Sequence, residues 1–177
     1  SASSHQSRSL SMITIIVAIS EDGAIGFENR LIYHLRADMK RFKALTTGNT
    51  VLMGRNTFES LPKGALPDRR NIVLTRDRSV SFAGAETFGS LEEALARCSP
   101  NEHVYIIGGA QVYRQALPLA NRLEITLVHN IPERADTAFP EFRSCPKWRL
   151  VSREDHGPDE GNPFAYSFLT YEKEEAL

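Results

Sequence analysis

The sequence has few of the features that mark disulfide-rich, membrane-spanning or nucleic-acid-binding proteins. Only two of its 177 residues are cysteines, Cys98 and Cys145, too few for a disulfide framework or a four-cysteine zinc site. We therefore expect reduced thiols in a cytoplasmic protein. The longest apolar run, Met12–Ile19, is too short to cross a bilayer. A formal net charge of −1, from 21 basic and 22 acidic residues, provides no overall positive field for binding nucleic acid.

Patterns for metal binding and nucleophilic catalysis are also absent. The histidines at positions 34, 103, 129 and 156 do not have the spacing of metal ligands, and no Ser/His/Asp arrangement is evident. The length and the 41% hydrophobic content suit one domain over residues 12–177. Residues 1–11 are polar and lack a signal-peptide core, and we interpret them as a disordered extension or a remnant of expression.

The hydrophobic pattern predicts alternating strands and helices. Met12–Ser20 is a nearly continuous apolar run, typical of a strand buried on both faces. Further strands are predicted at Thr50–Met53, Asn71–Thr75, His103–Ile107 and Arg122–His129, and helices at Arg36–Leu45, from Arg55, at Ser90–Cys98 and at Ala110–Gln115. Residues 21–34 have no period and predict a loop. A final hairpin, Trp148–Glu154 with Phe164–Glu172, completes an α/β fold whose mostly parallel sheet has an antiparallel C-terminal edge.

Asp38 lies in the first turn of the predicted helix Arg36–Leu45, with Phe42 one turn further on the same face. A carboxylate that follows a glycine-containing loop can do proton chemistry or hold a cationic ring. The alternative is that Asp38 only offsets the positive end of the helix dipole, an effect of roughly 0.3–1 kcal/mol. The pattern places Met39, Phe42 and Leu45 on one face of this helix and Lys40, Arg41 and Lys43 on the other.

Two glycine-containing segments lie between a strand and a helix, where free N–H groups can hold phosphate. The first is Gly54-Arg55-Asn56-Thr57, and the second begins at Gly108-Gly109. The alternative for both is an ordinary tight turn, and the second lacks the third glycine of the dinucleotide fingerprint. Arg55 and Arg76 follow separate strands and could bind one anion, such as the 2′-phosphate of NADPH, although either alone would be an exposed charge.

In order along the chain, these segments resemble the single-domain bacterial form of the dihydrofolate reductase family. The resemblance runs from Met12 to about Tyr171 and is carried by IVAISEDGAIGFENRLIYHL, ADMKRFKALT, VLMGRNTFESL, LPDRRNIVLTR, VYIIGGAQVY, LEITLV and DTAFPEF. It implies an eight-stranded, mostly parallel sheet with four flanking helices. It also implies NADPH-dependent reduction of dihydrofolate to tetrahydrofolate, which supports one-carbon metabolism, by hydride transfer to C6 and protonation at N5. NADPH and the pterin would meet in a cleft under the loop 23–35.

The resemblance assigns roles to individual residues. Asp38 matches the acid that binds the pterin, Thr126 matches the threonine bonded to it, and Tyr33 replaces a tryptophan that usually orients a water. The implied substrate contacts are Ile16, Val17, Asp38, Met39, Phe42, Leu61, Leu66, Arg69, Ile107, Tyr113 and Thr126, with Arg69 on the glutamate tail. The implied cofactor contacts are Ala18, Ile25, Gly26, Asn29, Leu31, Gly54, Arg55, Asn56, Thr57, Leu74, Thr75, Arg76, Gly108, Gly109, Ala110, Gln111, Val112 and Tyr113.

Further expectations follow from the same resemblance. It implies a cis peptide at Gly108-Gly109, antifolate inhibitors as ligands, a monomer, no metal and no membrane partner. Burial should raise the pKa of Asp38. Two departures from the family pattern are Arg36 in place of a proline and Asp68 in place of a glycine. Alternatives are a reductase of the riboflavin pathway, which shares the architecture, and a non-catalytic nucleotide-binding module.

Overall fold

The computed structural model describes residues 11–27, 30–31, 33–77 and 79–174, without the side chains of residues 27, 30 and 31. Three predictions fall outside this range: the polar N-terminal segment up to residue 10, the cofactor contact at Asn29, and the side chain of Leu31. None of the helices in the described part of the chain is long and apolar enough to cross a membrane.

The described residues form four α-helices, α1 to α4, and eleven strands, β1 to β11. The helices are α1 (Arg36–Thr46), α2 (Arg55–Glu59), α3 (Leu91–Ala96) and α4 (Ala110–Ala116), with a 3₁₀ turn at Leu117–Leu119. The strands are β1 (Met12–Ser20), β2 (Ala24–Phe27), β3 (Arg30–Leu31), β4 (Thr50–Gly54), β5 (Arg70–Leu74), β6 (Ala85–Phe88), β7 (His103–Gly108), β8 (Arg122–Val128), β9 (Thr137–Ala138), β10 (Trp148–His156) and β11 (Tyr166–Lys173).

Eight of these strands form one sheet in the order β10-β11-β8-β1-β7-β4-β5-β6. Strand β4 pairs in parallel with β5 and with β7, and β5 pairs in parallel with β6. At the other end β10 and β8 both pair antiparallel with β11. The prediction of an α/β fold with a mostly parallel sheet, an antiparallel C-terminal edge and four helices is confirmed.

The chain divides into two compact units, and the boundary falls inside β1. The first unit contains the chain up to Thr14 together with Thr46–Leu119, and the second contains Ile15–Leu45 together with the chain from Ala120. In the first unit, Val51, Leu52 and Ile72 are completely buried, as expected for parallel strands covered on both faces. In the second, Ile15, Leu123 and Ile125 are buried to the same degree.

The segment 21–34, predicted as a loop, contains two short strands. Strand β2 pairs antiparallel with β3 and with Thr137–Ala138 of β9, which lies more than a hundred residues further along the chain. Strands of four and two residues show too little alternation to be recognised in the sequence, and this is why the pattern failed here. The short edge strand β6 was missed for a similar reason, because its residues are mostly half-buried and alternate weakly.

The start of α3 has the capping box that Ser90 followed by Glu93 in the sequence predicts. Ser90 accepts a hydrogen bond from the N–H of Glu93 at 3.1 Å, and the Glu93 carboxylate accepts one from the N–H of Gly89 at 2.9 Å. The helix ends at Ala96, two residues before the predicted end at Cys98. Terminal residues of helices are the least certain part of any such prediction.

Candidate active site

The N-terminus of α1, which carries Asp38, is capped by the loop between β10 and β11. The N–H of Arg36 donates to the carbonyl oxygen of Gly161 at 3.2 Å, and the N–H of Ala37 donates to Asn162 Oδ1 at 2.9 Å. Asn162 is buried, and its Nδ2 donates to Asp159 Oδ1 at 2.7 Å. A proline at position 36 has no N–H and could not make the first of these bonds. The departure at Arg36 therefore replaces a fixed backbone angle with a hydrogen bond.

Asp38 is hydrogen-bonded to Thr126, which lies on β8. Thr126 Oγ1 donates to Asp38 Oδ1 at 2.6 Å, and Thr126 is 2% exposed. Burial raises the pKa of Asp38 above its ordinary value, while the Thr126 hydrogen bond and the positive charge of Arg41 act in the opposite direction. The raised pKa agrees with the direction expected from the sequence.

The apolar residues predicted as substrate contacts near Asp38 differ in their exposure to solvent. Ile16 and Val17 on β1 are buried, and Phe42 is half-buried. Met39, however, is 61% exposed, although the pattern places it on one face with Phe42 and Leu45. The reason is helical geometry, because a residue next to Asp38 in sequence is rotated by about 100° around the helix axis.

The pattern predicted that Arg41 lies with Lys40 and Lys43 on the polar face of α1. In the structure, its side chain packs against β8 instead. Its guanidinium contacts Glu124 on β8, with 2.8 Å between Arg41 Nη2 and Glu124 Oε1, and lies 4.6 Å from the centroid of the Phe168 ring. The Glu124 side chain is only 6% exposed. The sequence analysis missed both residues. The available signals were the three-residue spacing from Asp38 and an acid within the apolar run LEITLV.

The structure places the Tyr33 hydroxyl on Asn130. The hydroxyl donates to Asn130 Oδ1 at 2.8 Å, and the ring packs in a buried cluster with Leu35, Val128 and Tyr166. Burial and the nearby carboxylates raise the pKa of Tyr33, which keeps the hydroxyl protonated. Its role in orienting a water stays a prediction, with Asn130 as the partner that the sequence analysis missed.

In the first unit, the two glycine segments lie against each other. A Cβ on Gly54 would lie 3.3 Å from Val112 Cγ2 and 3.9 Å from the N atom of Gly109. Gly108 has a φ of +134°, and a Cβ there would lie 3.1 Å from Thr57 Oγ1. The peptide between Gly108 and Gly109 is cis, as expected. Glycine is required at this point because no side chain fits the conformation or the space.

Arg55 and the segment after β5 are neighbours, as the parallel sheet predicts. The pairing of Gly54 with Leu74 sets Arg55 and Thr75 at equivalent strand ends, and the positive charge of Arg55 contributes to lowering the pKa of Asp77. Arg55 also pairs with Glu59, with 3.1 Å between Arg55 Nε and Glu59 Oε2. Arg76 is exposed. The two arginines therefore follow adjacent strand ends.

Arg69 lies at the opposite ends of the same strands, in a polar groove of about 550 Å³ that also contains Gly48, Asn49 and His103. Its Nη1 donates to Thr46 Oγ1 at 3.0 Å, and its Nε donates to the carbonyl oxygen of Pro67 at 2.8 Å. The preceding residue, Asp68, has a φ of +59°, which explains why a glycine is common at this position in the family.

The other predicted contacts differ in their exposure. Ala18, Leu61, Leu66, Leu74, Thr75, Ile107 and Ala110 are half-buried, Asn56 and Gln111 are exposed, and Ile25, Gly26, Val112 and Tyr113 are buried. Their positions within each unit agree with the elements predicted for them, apart from Ile25 and Gly26, which lie on β2 rather than in a loop. Their roles in binding stay predictions.

Comparison with known proteins identifies the family. The family model for dihydrofolate reductase matches residues 12–173. The dihydrofolate reductase of Bacillus subtilis (strain 168) is 43% identical over 162 residues, which cover 92% of this chain and 95% of the relative. That of Neisseria meningitidis serogroup B (strain ATCC BAA-335 / MC58) is 49% identical over 161 residues, covering 90% and 98%.

A solved structure supports the same conclusion. The dihydrofolate reductase from Enterococcus faecalis, complexed with NADP(H), has a TM-score of 0.85 and 35% sequence identity, covering 93% of this chain and 97% of that chain. The parallel sheet with its glycine segments and the half-buried acid are typical of an α/β oxidoreductase that uses a nicotinamide nucleotide. Within that class, the chain belongs to the dihydrofolate reductase family.

Proposed function

We propose that this protein reduces dihydrofolate to tetrahydrofolate with NADPH, and that Asp38 is the residue that binds and activates the pterin ring. The observation that carries the assignment is the hydrogen bond of 2.6 Å between Thr126 and Asp38 at the start of α1. A half-buried acid held by one hydroxyl is oriented, yet it keeps most of its acceptor capacity for a ligand.

The carboxylate of Asp38 suits the edge of a pterin. A carboxylate has about four acceptor positions, so the bond from Thr126 leaves room for two parallel hydrogen bonds from the ring's amino group and neighbouring ring N–H. A cationic antifolate with the same donor pattern would bind there by charge pairing. Because burial raises the pKa of Asp38, the acid also retains a proton at a higher pH than an exposed aspartate. We assign to it the bias toward protonation at N5.

The first unit contains residues that fit NADPH. Gly54 and Gly108 let the two glycine segments pack closely, because a Cβ at either would press on Val112 or Thr57. Gly54 and Gly109 precede α2 and α4 without a side-chain cap, which leaves N–H donors for the pyrophosphate. Arg55 and Arg76 would hold the 2′-phosphate. When bound, NADPH supplies the hydride that C6 of the pterin receives.

Arg69 is proposed to bind the α-carboxylate of the glutamate tail. Its bonds to Thr46 and to the carbonyl oxygen of Pro67 fix the orientation of the guanidinium. They use Nη1 and Nε, and Nη2 remains for a carboxylate. An arginine held in this way loses less conformational entropy on binding than a freely moving one.

The decisive experiment follows the absorbance of reduced nicotinamide after NADPH and dihydrofolate are mixed with the protein. We expect turnover by the wild type, and a loss of ~10²–10⁴-fold in the Asp38→Asn variant, the range typical of general acid catalysis. Fluorescence titration should show that the variant still binds NADPH. Asp38→Asn keeps the size of the side chain and an oxygen that can accept the hydrogen bond from Thr126.

Three outcomes would contradict the proposal. Unchanged turnover in Asp38→Asn would remove the acid from the mechanism. A wild type that binds NADPH without oxidising it in the presence of dihydrofolate would indicate a binding module. Turnover with the aminopyrimidine of the riboflavin pathway, and none with dihydrofolate, would indicate the related reductase.

A further inference from the structure

Helix α1 and strand β8 are joined by two parallel side-chain contacts. Asp38 on α1 contacts Thr126 on β8, and Arg41 on α1 contacts Glu124 on β8. Residues three apart on a helix lie on one face, and residues two apart on a strand lie on one face. The helix therefore presents Asp38 and Arg41 on one face. The strand presents Thr126, which donates to Asp38, and Glu124, which pairs with Arg41.

The Arg41 guanidinium is held by two partners, the Glu124 carboxylate and the Phe168 ring. Glu124 Oε1 lies 2.8 Å from Arg41 Nη2, and the Phe168 ring lies beneath the guanidinium at 4.6 Å. Glu124 is itself fixed, because Thr170 Oγ1 donates to its Oε1 at 2.7 Å. Arg122 lies on the other side of the carboxylate, 3.8 Å from Oε2. A charge with so many partners has little freedom to move away from the acid.

We propose that Arg41, fixed by Glu124 and Phe168, is a positioning residue that keeps a positive charge one helical turn from Asp38 and so favours the ionised acid that binds the pterin. The inference rests on the proposed function of Asp38 and adds to it a second pair of residues. Arg41 acts through Asp38 and needs no contact with substrate or cofactor.

The charges around this corner of the second unit are few. Arg41 comes from α1, Glu124 and Arg122 come from β8, and Asp159 comes from the loop whose Asn162 caps α1. β1 contains no charged residue. β11 contributes the uncharged Phe168 and Thr170 to the Glu124 site, and its Glu172 pairs with Arg122 at 2.9 Å. Glu124 is negative, and it both holds Arg41 and partly neutralises it. Loss of the Arg41 charge should therefore raise the proton affinity of Asp38, and loss of the Glu124 charge should lower it.

Two variants test this reasoning by sign. Arg41→Met removes the positive charge, and the midpoint of Asp38 titration should move to higher pH. Glu124→Gln keeps the acceptor for Arg41 and Thr170 but removes the negative charge, and the midpoint should move to lower pH. The double variant should lie between them. Lys40→Met, which removes an exposed positive charge elsewhere on α1, is the matched control and should leave the midpoint unchanged.

Two measurements report the midpoint independently. Single-turnover hydride transfer gives a pH–rate profile, in which a displacement of half a unit changes the rate on the alkaline side by about threefold. Carboxyl NMR titration of Asp38 in the free protein needs no activity, so it tests the inference even if the protein fails to reduce dihydrofolate.

The result that supports the proposal is a pair of opposite displacements with Arg41→Lys close to the wild type. Midpoints that stay at the wild-type value in both variants would overturn it, as would displacements of the same sign. A loss of activity in both variants without any displacement would show that the pair acts only on the stability of the helix.

Discussion

Replacing Thr126 with valine should lower the unfolding free energy by an amount that depends on pH. The substitution keeps the shape of the side chain and removes the hydroxyl that donates to Asp38 at 2.6 Å. Both partners are largely removed from solvent, and the acceptor is a carboxylate. Hydrogen bonds to charged groups contribute about 1.5–3 kcal/mol, and neutral ones about 0.5–1.5 kcal/mol. We therefore expect unfolding free energy to fall by ~1.5–3 kcal/mol where Asp38 is ionised.

The dependence on pH follows from the direction of the pKa of Asp38. Burial raises the folded pKa above the unfolded one, so stability falls as pH rises through the interval between these two values. Donation by Thr126 limits this loss because it favours the ionised carboxylate. In Thr126→Val the pKa of Asp38 rises further. The difference from wild type should be small below the unfolded pKa and complete above the folded pKa.

Urea denaturation at several pH values, followed by circular dichroism, measures this difference directly. Thr126→Ser keeps the hydroxyl and is the matched control, which should retain the pH dependence of the wild type. A Thr126→Val variant that loses the same free energy at acid and at alkaline pH would refute the reasoning. An equal loss in the serine variant would show that the methyl group, rather than the hydrogen bond, is important.

Three further predictions concern other parts of the molecule. Asn162→Ala should remove the side-chain cap of α1, lower the unfolding free energy by about 1 kcal/mol and weaken antifolate binding measured by calorimetry. Asn162→Asp should also be destabilised, because it loses the donor to Asp159 Oδ1 and places a second carboxylate beside it. Gly108→Ala should raise the Kd for NADPH at least about tenfold in fluorescence titrations. The reason is that the Cβ of the alanine would approach Thr57 and that the φ at this position favours glycine. Substrate affinity in the absence of cofactor should not change. Arg70→Met should lower the unfolding free energy mainly above the unfolded pKa of glutamate. The reason is that Arg70 lowers the pKa of Glu86 and, against the effect of burial, that of Glu102. In urea titrations the difference from wild type should disappear as the pH falls through the folded pKa values of these two acids.

The success of the sequence analysis depended on how local each feature is. The capping pattern at Ser90 was readable because its partners are three residues apart. The acid at Asp38 and its helix were readable for the same reason. Arg41 was misplaced because the local pattern treats any basic residue as solvent-facing. Its partner Glu124 lies 83 residues away, and only that contact makes burial of the arginine favourable.

By itself, the sequence determined the order of the four helices and of the longer strands, the position of Asp38 in a first turn, and the glycines and arginines at strand ends. These features depend on short-range periodicity and on the chemistry of single residues, and the ordered motifs were sufficient to indicate the family. Only the tertiary structure decided that Asn162 caps the helix of Asp38 from 125 residues away and that Arg41 pairs with Glu124. Contacts between residues so distant in the chain form when burial brings their elements together, and no local pattern of the sequence records them.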